Sequence, residues 1–184
     1  RAAAQAAFSD YGAYLDSLEM VATIRGFEPL YIQRIAQLTN KSNQFNLTTL
    51  RCSEDDIRAM AADANRLCLC GKLVDKFGDN GIVTVVCGEQ QQDALHLRLW
   101  LMSCRVLKRG MEDAMMDTLM TEAAARGVKT VYGYYYPTAK NAMVRSFYES
   151  FGFAKTEEDA VGDTVWQLDV AAYQPRHPHM KIER

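Results

Sequence analysis

The sequence has little of several features that define common protein classes, and each shortage excludes one class. Its 184 residues contain 21 Lys and Arg against 23 Asp and Glu, a formal net charge of −2. The basic surplus of a protein that binds nucleic acid by neutralising phosphates is therefore missing. No apolar run approaches the ~18 residues of a membrane-spanning helix, and the N-terminal residues lack the apolar core of a signal peptide. We expect a cytoplasmic protein that binds neither nucleic acid nor membranes.

The five cysteines follow no disulfide or metal-binding pattern. Their number is odd, and a single residue separates Cys68 from Cys70, where zinc and redox motifs have two. Their alternation with Leu67 and Leu69 is typical of a strand. We expect reduced, mostly buried thiols and no metal site.

Apolar spacing predicts one mixed α/β domain with the element order β-α-α-β-β-β-α-β-α-β. Ser53 is a predicted N-cap because acidic residues follow it, and Asn80-Gly81 predicts the turn of a hairpin. The last helix is predicted from Asn141 to Phe151, and the last strand from Val161 to Val170. The Pro-containing C-terminus predicts a flexible end. The chain begins with Arg1 rather than Met, so we expect a piece of a longer protein.

Two segments resemble those of the GNAT superfamily of acyltransferases. Arg105 to Glu112 lies between a strand and a helix, where GNAT domains have a Gln/Arg-x-x-Gly-x-Gly/Ala loop whose amides bind the pyrophosphate of coenzyme A. The second segment starts at Asn141 and ends Phe-Tyr-Glu-Ser-Phe-Gly-Phe, similar to the GNAT helix whose tyrosine protonates the departing thiolate. The resemblance implies a mixed sheet with helices on both faces, with Tyr148 as the acid.

The same resemblance implies that a pantetheine arm lies between the strands that end at Met102 and Tyr136. The phosphate loop departs from the family pattern in both registers we considered. One register puts Arg105 in the Gln/Arg position and Lys108 in the first-glycine position. The register that we prefer makes Gly110 the first glycine, and its Glu112 would repel a pyrophosphate.

We therefore expect a phosphopantetheine thioester on an acyl-carrier protein, which lacks the adenosine diphosphate half, with coenzyme A as the alternative. Three basic side chains precede the helix and suit the arm's phosphate or the acidic surface of a carrier. The residues expected to bind the arm are Met102, Arg105, Lys108, Arg109, Gly110, Met111 and Asn141.

A longer set of motifs resembles the C-terminal GNAT-like domain of FkbH-type proteins, which belong to the haloacid-dehalogenase (HAD) superfamily, subfamily IIIC. The motifs lie in residues 39–49, 77–81, 101–106 and 136–141, and the resemblance spans about Tyr11 to Phe153. Family members are associated with loading a glyceryl unit onto an acyl-carrier protein in polyketide-type pathways. The resemblance implies a helical arm (residues 1–20) from a missing upstream HAD domain, a GNAT-like domain (21–172) and a C-terminal tail (173–184).

Three further residues are candidates for the site. Cys104 follows the strand beside the arm and is a candidate thioester nucleophile. Asn43 and Asn46 lie in a polar loop and suit a hydroxylated acyl chain, because amides donate and accept. His96 has no obvious partner, and packing explains the aromatic strand around Tyr134.

The sequence leaves three functions open. The first is an acyltransferase with Tyr148 as acid. The second is a non-catalytic module that docks a carrier protein for an upstream HAD domain, and the third is a structural GNAT relic. An open, pantetheine-wide cleft between the two strands is expected for the first two functions, and a closed gap filled by the protein's own side chains would remove both.

Overall fold

An eight-stranded mixed sheet organises the computed structural model, which describes residues 10–184. The strands follow the order β6-β7-β5-β4-β3-β2-β1-β8. Neighbouring strands are antiparallel except for the parallel pairs β4–β5 and β1–β8. The strands are β1 (Val21–Arg25), β2 (Arg66–Asp75), β3 (Gly78–Gln91), β4 (Ala94–Met102), β5 (Thr130–Tyr135), β6 (Ala154–Glu158), β7 (Thr164–Asp169) and β8 (Lys181–Glu183).

Helices cover both faces of this sheet. They are α1 (Tyr11–Ser17), α2 (Ile32–Lys41), α3 (Glu54–Ala62), α4 (Met111–Ala125) and α5 (Phe147–Ser150). The larger core contains buried residues of α1, α4 and α5, and the smaller core contains those of α2 and α3. The two cores therefore lie on opposite sides of the central strands, as the predicted α/β class requires.

The start of α3 forms as predicted from the sequence. The Ser53 hydroxyl accepts a hydrogen bond from the backbone N–H of Asp56, whose carboxylate accepts one from the Ser53 N–H. This reciprocal pair satisfies two amides that the first turn of a helix leaves free.

The hairpin between β2 and β3 turns earlier than predicted. Asp75 pairs with Gly78, so the turn consists of Lys76 and Phe77. The Asn80 side chain donates to the Leu73 carbonyl, and the register shifts at this point. The Asn-Gly dipeptide therefore marks a β-bulge rather than the turn, because both features use a left-handed residue, here Gly81 with φ 68°.

The C-terminal half also departs from expectation. The helix predicted from Asn141 to Phe151 is broken into a 3₁₀ turn, Ala142–Val144, and the short α5. Strand β6 has an exposed side chain at every position, so it lacks the alternation that identifies a strand.

The two ends of the described chain pack against the domain. Tyr14 and Leu15 of α1 are buried in the larger core, and β8 pairs with β1. The prediction of a flexible C-terminal end is therefore wrong. Residues 1–9 of the predicted arm lie outside the described residues, and the division into arm, domain and tail stays a prediction.

Candidate functional site: the cleft between β4 and β5

Strands β4 and β5 separate at the position where the resemblance places a pantetheine arm. They pair only from Ala94 to Leu97 and from Thr130 to Gly133. The pairing of β4 with β3 shifts at the same level, because Cys87 faces Leu99 while Gly88 faces Leu97. A β-bulge bends its strand, so the second halves of β4 and β5 diverge and leave a cleft.

The cleft is filled by the protein's own backbone. Residues 45–48, here called the cleft segment, lie between the diverging strands. The Leu47 N–H donates to the Trp100 carbonyl at 3.0 Å, and the Met102 N–H donates to the Phe45 carbonyl at 3.0 Å. On the other side, the Tyr136 N–H donates to the Leu47 carbonyl at 2.9 Å. Met102 therefore lies at the predicted cleft, but its amide already has a partner, and the filled gap counts against both leading functions in this conformation.

Asn141 fastens the cleft segment to the end of β5. Its fully buried side-chain NH₂ donates to the carbonyls of Asn46 at 2.9 Å and Tyr136 at 3.0 Å. Its side-chain oxygen accepts from the Thr138 N–H at 2.8 Å. The predicted arm-binding amide is thus fully used inside the protein.

Asn46 is also used internally rather than presented to a substrate. It is fully buried, its side-chain NH₂ donates to the Ser42 carbonyl, and its side-chain oxygen accepts from the Thr49 N–H. The Asn43 oxygen accepts from the Arg51 guanidinium. Both asparagines shape the loop that carries the cleft segment, and the predicted contact of Asn46 with substrate does not fit its burial.

Tyr148 lies in the core under the floor of the cleft. Its ring packs directly against Gly133 of β5, where an added Cβ would come within 2.5 Å of the ring. Its hydroxyl is buried and makes no hydrogen bond of regular geometry within residues 10–184. Burial raises the pKa of Tyr148, and the nearby backbone of Tyr134 offsets this effect only in part. Protonation of a thiolate by Tyr148 stays a prediction, and it requires the core here to open.

The N-terminus of α4 does not fit a pyrophosphate. Pro178 packs against Gly110, where a Cβ would lie 3.1 Å from it, and Met111 is fully buried. The Glu112 carboxyl is in the first turn with one oxygen buried and unbonded. Burial raises the pKa of the Glu112 carboxyl. The backbone N–H of Glu112 opposes this effect, and the negative charge of Asp113 adds to it. These residues do not fit the diphosphate of coenzyme A.

Two residues of this loop have left-handed backbone. Lys108 has φ 62° and Gly110 has φ 90°, and glycine adopts this conformation without steric cost whereas lysine does not. The register of the loop against the GNAT pattern stays a prediction.

Arg109 is a structural residue and not a free cation. Its guanidinium donates to the Asp75 carboxylate at 2.7 Å, and the two side chains are only 5% and 2% exposed. Burial alone would raise the pKa of Asp75. Hydrogen bonds from Arg109 and from the Phe77 N–H outweigh burial and lower that pKa. The predicted role of Arg109 in binding a phosphate is therefore wrong for this conformation.

Arg105 remains exposed at the rim of the cleft, as does Lys108. The charge of Arg105 lies close enough to Arg34 on α2 to lower the pKa of Arg34, after the larger effect of burial. The exposed Cys104 thiol donates to the side-chain oxygen of Gln44 at 3.4 Å, and Gln44 is the residue directly before the cleft segment. The rim therefore combines a thiol with two cations.

A histidine–tyrosine pair near the cleft was missed in the sequence. His96 Nδ1 lies 2.6 Å from the Tyr134 hydroxyl, and its ring stacks on Tyr132. The Arg98 guanidinium lies 4.5 Å above the Tyr134 ring. Burial and Arg98 lower the pKa of His96, which favours a neutral imidazole able to accept a proton. The sequence contained one signal for this pair. His96 pairs with Tyr132 on the neighbouring strand, and Tyr134, two residues further along, lies on the same face of the sheet as Tyr132.

The cleft segment also contacts Arg98, the arginine that lies over the Tyr134 ring. The Thr48 hydroxyl donates to the Arg98 carbonyl at 2.7 Å.

No group of three or more His, Cys, Asp or Glu within residues 10–184 could hold a metal ion. No helix in the described part of the chain is long and apolar enough to cross a membrane.

Comparison with known proteins identifies the fold. The protein has the mixed α/β fold of GNAT acetyltransferases. The ribosomal-protein-S18-alanine N-acetyltransferase of Escherichia coli superposes with a TM-score of 0.61 at 17% identity, over 81% of this chain and 94% of that one. The GNAT domain of S. lividans PAT gives 0.60 at 15%, over 79% and 89%. Spermidine N-acetyltransferase from Vibrio cholerae gives 0.60 at 11%, over 82% and 94%.

Sequence comparison adds no family. No protein-family model matches the chain, and no curated protein matches it. The likeness to solved structures therefore concerns the fold alone.

Proposed function

We propose that this protein handles an acyl thioester on a phosphopantetheine arm, and that the arm replaces the cleft segment between β4 and β5. One observation carries the proposal. The Trp100 carbonyl and the Met102 N–H at the edge of β4 are bonded by the backbone of Phe45 and Leu47. Pantetheine is a chain with two amides, each with one donor and one acceptor, so it can make the same kind of bonds.

The closed α4 N-terminus supports an arm on a carrier protein rather than coenzyme A. Glu112, Pro178 and the Arg109–Asp75 pair occupy the region that a diphosphate would need. A carrier-bound arm has a single phosphate and no adenosine diphosphate. Arg34 and Arg105 repel each other at the rim, and an anion between them would reduce this repulsion. Such an anion is the phosphate of the arm or an acidic side chain of the carrier.

The chemistry follows from the groups around the cleft. In the transfer step the acyl carbon–sulfur bond breaks and a bond to the acceptor forms. We assign His96 the proton that the acceptor loses, because its neutral imidazole can accept it. The thiolate takes a proton, which is the role predicted for Tyr148 once the core opens. Cys104 is the alternative acyl acceptor. The glyceryl group and the upstream HAD domain are proposed on the resemblance to FkbH-type proteins.

A second candidate is a docking module without catalysis. The buried, unbonded hydroxyl of Tyr148 favours this function over catalysis, whereas the filled cleft does not distinguish the two. In this case the rim binds the carrier and the cleft segment never leaves. The two functions agree on the partner and differ in whether the thioester is consumed.

Calorimetry with three probes tests the partner: coenzyme A, an acyl-carrier protein without its arm, and the same carrier with a glyceryl-charged arm. We expect the charged carrier to bind at least about tenfold more tightly than coenzyme A, equivalent to about 1.4 kcal/mol. Reversing the rim charge with Arg34→Glu and Arg105→Glu should weaken the carrier complex. Arg58→Glu, an exposed arginine of α3, is the matched control. Tight binding of coenzyme A without any response to the charged carrier would refute the proposal.

Mass spectrometry of the same mixtures separates the two functions. Loss of the thioester in excess of spontaneous hydrolysis supports transfer, and it should fall with His96→Gln. Binding of the carrier with an unchanged thioester supports the docking module.

A further inference from the structure

We propose that Cys68 and Cys87 form a redox-active dithiol that closes reversibly to a disulfide. The two residues face each other on the antiparallel strands β2 and β3. Their sulfur atoms lie 3.3 Å apart. The site lies outside the β4–β5 cleft, so the proposal is independent of the proposed function.

The backbone already has the spacing that a disulfide requires. Residues directly opposite each other on antiparallel strands have Cα atoms ~4.5–5.5 Å apart. Disulfides join Cα atoms that are ~4.4–6.8 Å apart. A bonded S–S distance is ~2.05 Å, so the sulfurs must approach by about 1.3 Å from their present 3.3 Å. Side-chain rotation supplies a movement of this size without a change of strand register.

The surroundings favour a thiolate at this pair. The sulfur atoms of Cys68 and Cys87 share a hydrogen bond in which either can be the donor, and Arg66 Nη1 lies 3.9 Å from the Cys87 sulfur. The hydrogen bond with Cys68 and the neighbouring Arg66 lower the pKa of Cys87 despite its burial. The same hydrogen bond, together with burial, raises the pKa of Cys68, so the pair holds one proton on Cys68 and a thiolate at Cys87. Two other buried thiols do not have a lowered pKa. Burial is the largest effect on both, and it raises the pKa of Cys52 to about 11 and that of Cys70 to about 12. A thiolate rather than a thiol reacts with oxidants.

Access to the pair is through Cys68, which is partly exposed, whereas Cys87 is fully buried. Hydrogen peroxide oxidises the pair in two steps. The Cys87 thiolate takes the proton of the Cys68 thiol, and the resulting, more accessible Cys68 thiolate attacks the peroxide. The O–O bond breaks, and a sulfenic acid and, after the departing hydroxide takes a proton from solvent, water form. The Cys87 sulfur then attacks the Cys68 sulfur, the S–O bond breaks, and a second water leaves. The two thiols lose two electrons and two protons, and the peroxide gains them.

Oxidation of the full chain with hydrogen peroxide tests this inference. Intact-protein mass spectrometry should show a loss of about 2 Da that dithiothreitol reverses. Peptide mapping should place the bond between Cys68 and Cys87, and two of the five cysteines should become unreactive to a thiol reagent. Arg66→Gln should slow the oxidation severalfold.

Two cysteine variants serve as matched tests. Cys68→Ala should abolish the loss of mass, whereas Cys104→Ala, which removes an exposed thiol without a neighbouring cysteine, should retain it. Mapping of the wild-type protein does not depend on the folding of any variant. A disulfide between other cysteines, or oxygen addition at Cys68 without a cross-link, would overturn the proposal.

Discussion

Removing the side chain of Asn141 should open the cleft locally. In Asn141→Ala, the carbonyls of Asn46 and Tyr136 lose their donor and the Thr138 N–H loses its acceptor. These three bonds lie in or beside the core. The Tyr135 hydroxyl also donates to the Asn141 side-chain oxygen at 3.3 Å, but it keeps the Asn141 backbone carbonyl as an acceptor. Only the bond to Asn46 joins the cleft segment to the end of β5, because the other two lie within the loop after β5.

The structure sets the expected magnitude. A buried polar group left without its partner costs about 1–3 kcal/mol. Water can enter the space of the deleted amide, so we take the lower limit of about 1 kcal/mol for each of the three bonds. The free energy of unfolding should therefore fall by about 3 kcal/mol in Asn141→Ala. The single bond to Asn46 accounts for about 1 kcal/mol of this loss. The open fraction of the cleft segment should therefore rise about fivefold.

Amide hydrogen exchange measures the opening. The N–H groups of Leu47, Met102 and Tyr136 bond across the cleft, so their exchange reports the position of the cleft segment. We expect these three N–H groups to exchange about fivefold faster in Asn141→Ala, because the lost bond to Asn46 is worth about 1 kcal/mol. The unfolding free energy from urea titration should fall by about 3 kcal/mol.

A core substitution far from the cleft controls for the general loss of stability. Ile57→Ala in α3 deletes a fully buried side chain of the smaller core and should cost a similar 2–5 kcal/mol. Exchange at Leu47 and Met102 should remain unchanged in this variant. Equal acceleration in both variants would mean that the cleft segment leaves only when the whole domain unfolds, and the idea of a separable segment would be refuted.

Two further substitutions test the assignment of structural roles. Arg109→Met and Asp75→Leu should each cost about 3–5 kcal/mol, because each leaves a buried charge, and the double variant should lose much less than the sum. Since folding lowers the pKa of Asp75, the ion pair stabilises the protein above the ordinary carboxyl range near pH 4. Urea titrations should show that this contribution is lost as the pH falls through the lowered pKa. Tyr148→Phe removes a buried hydroxyl without a partner and should raise stability by up to about 1 kcal/mol. A simultaneous loss of acyl transfer would support its role as acid, and unaltered transfer would remove it.

Local patterns predicted the elements whose signals are local. The cap at Ser53 depends on residues close in sequence, and it forms as predicted. Strand β8 is different, because it is short and obtains its hydrogen bonds from β1, about 160 residues earlier. Its formation depends on a pairing that no local pattern contains.

The candidate site was predicted at the level of its backbone and not of its side chains. Strands β4 and β5 stop pairing after Leu97 and Gly133, and the arm that the resemblance places between their ends stays a prediction. The charges of Arg109 and Asp75 lie 34 residues apart, and a cation in a loop has the same signature whether it meets a ligand or a distant carboxylate. The His96–Tyr134 pair was missed for the same reason, since its members lie on different strands.

The same limit explains the role of Asn141. In the sequence, Asn141 precedes the segment that resembles the GNAT tyrosine helix, and an arm-binding amide was the natural expectation. An amide that binds a pantetheine arm and one that binds the backbone of Asn46 need the same donors and acceptors. The cleft segment is itself a chain of amides, so the site bonds it just as it would bond the arm. Recognition of the arm and closure of the cleft are therefore alternatives at the same atoms, and their competition can be measured through the exchange of Leu47 and Met102 in the presence of a charged carrier protein.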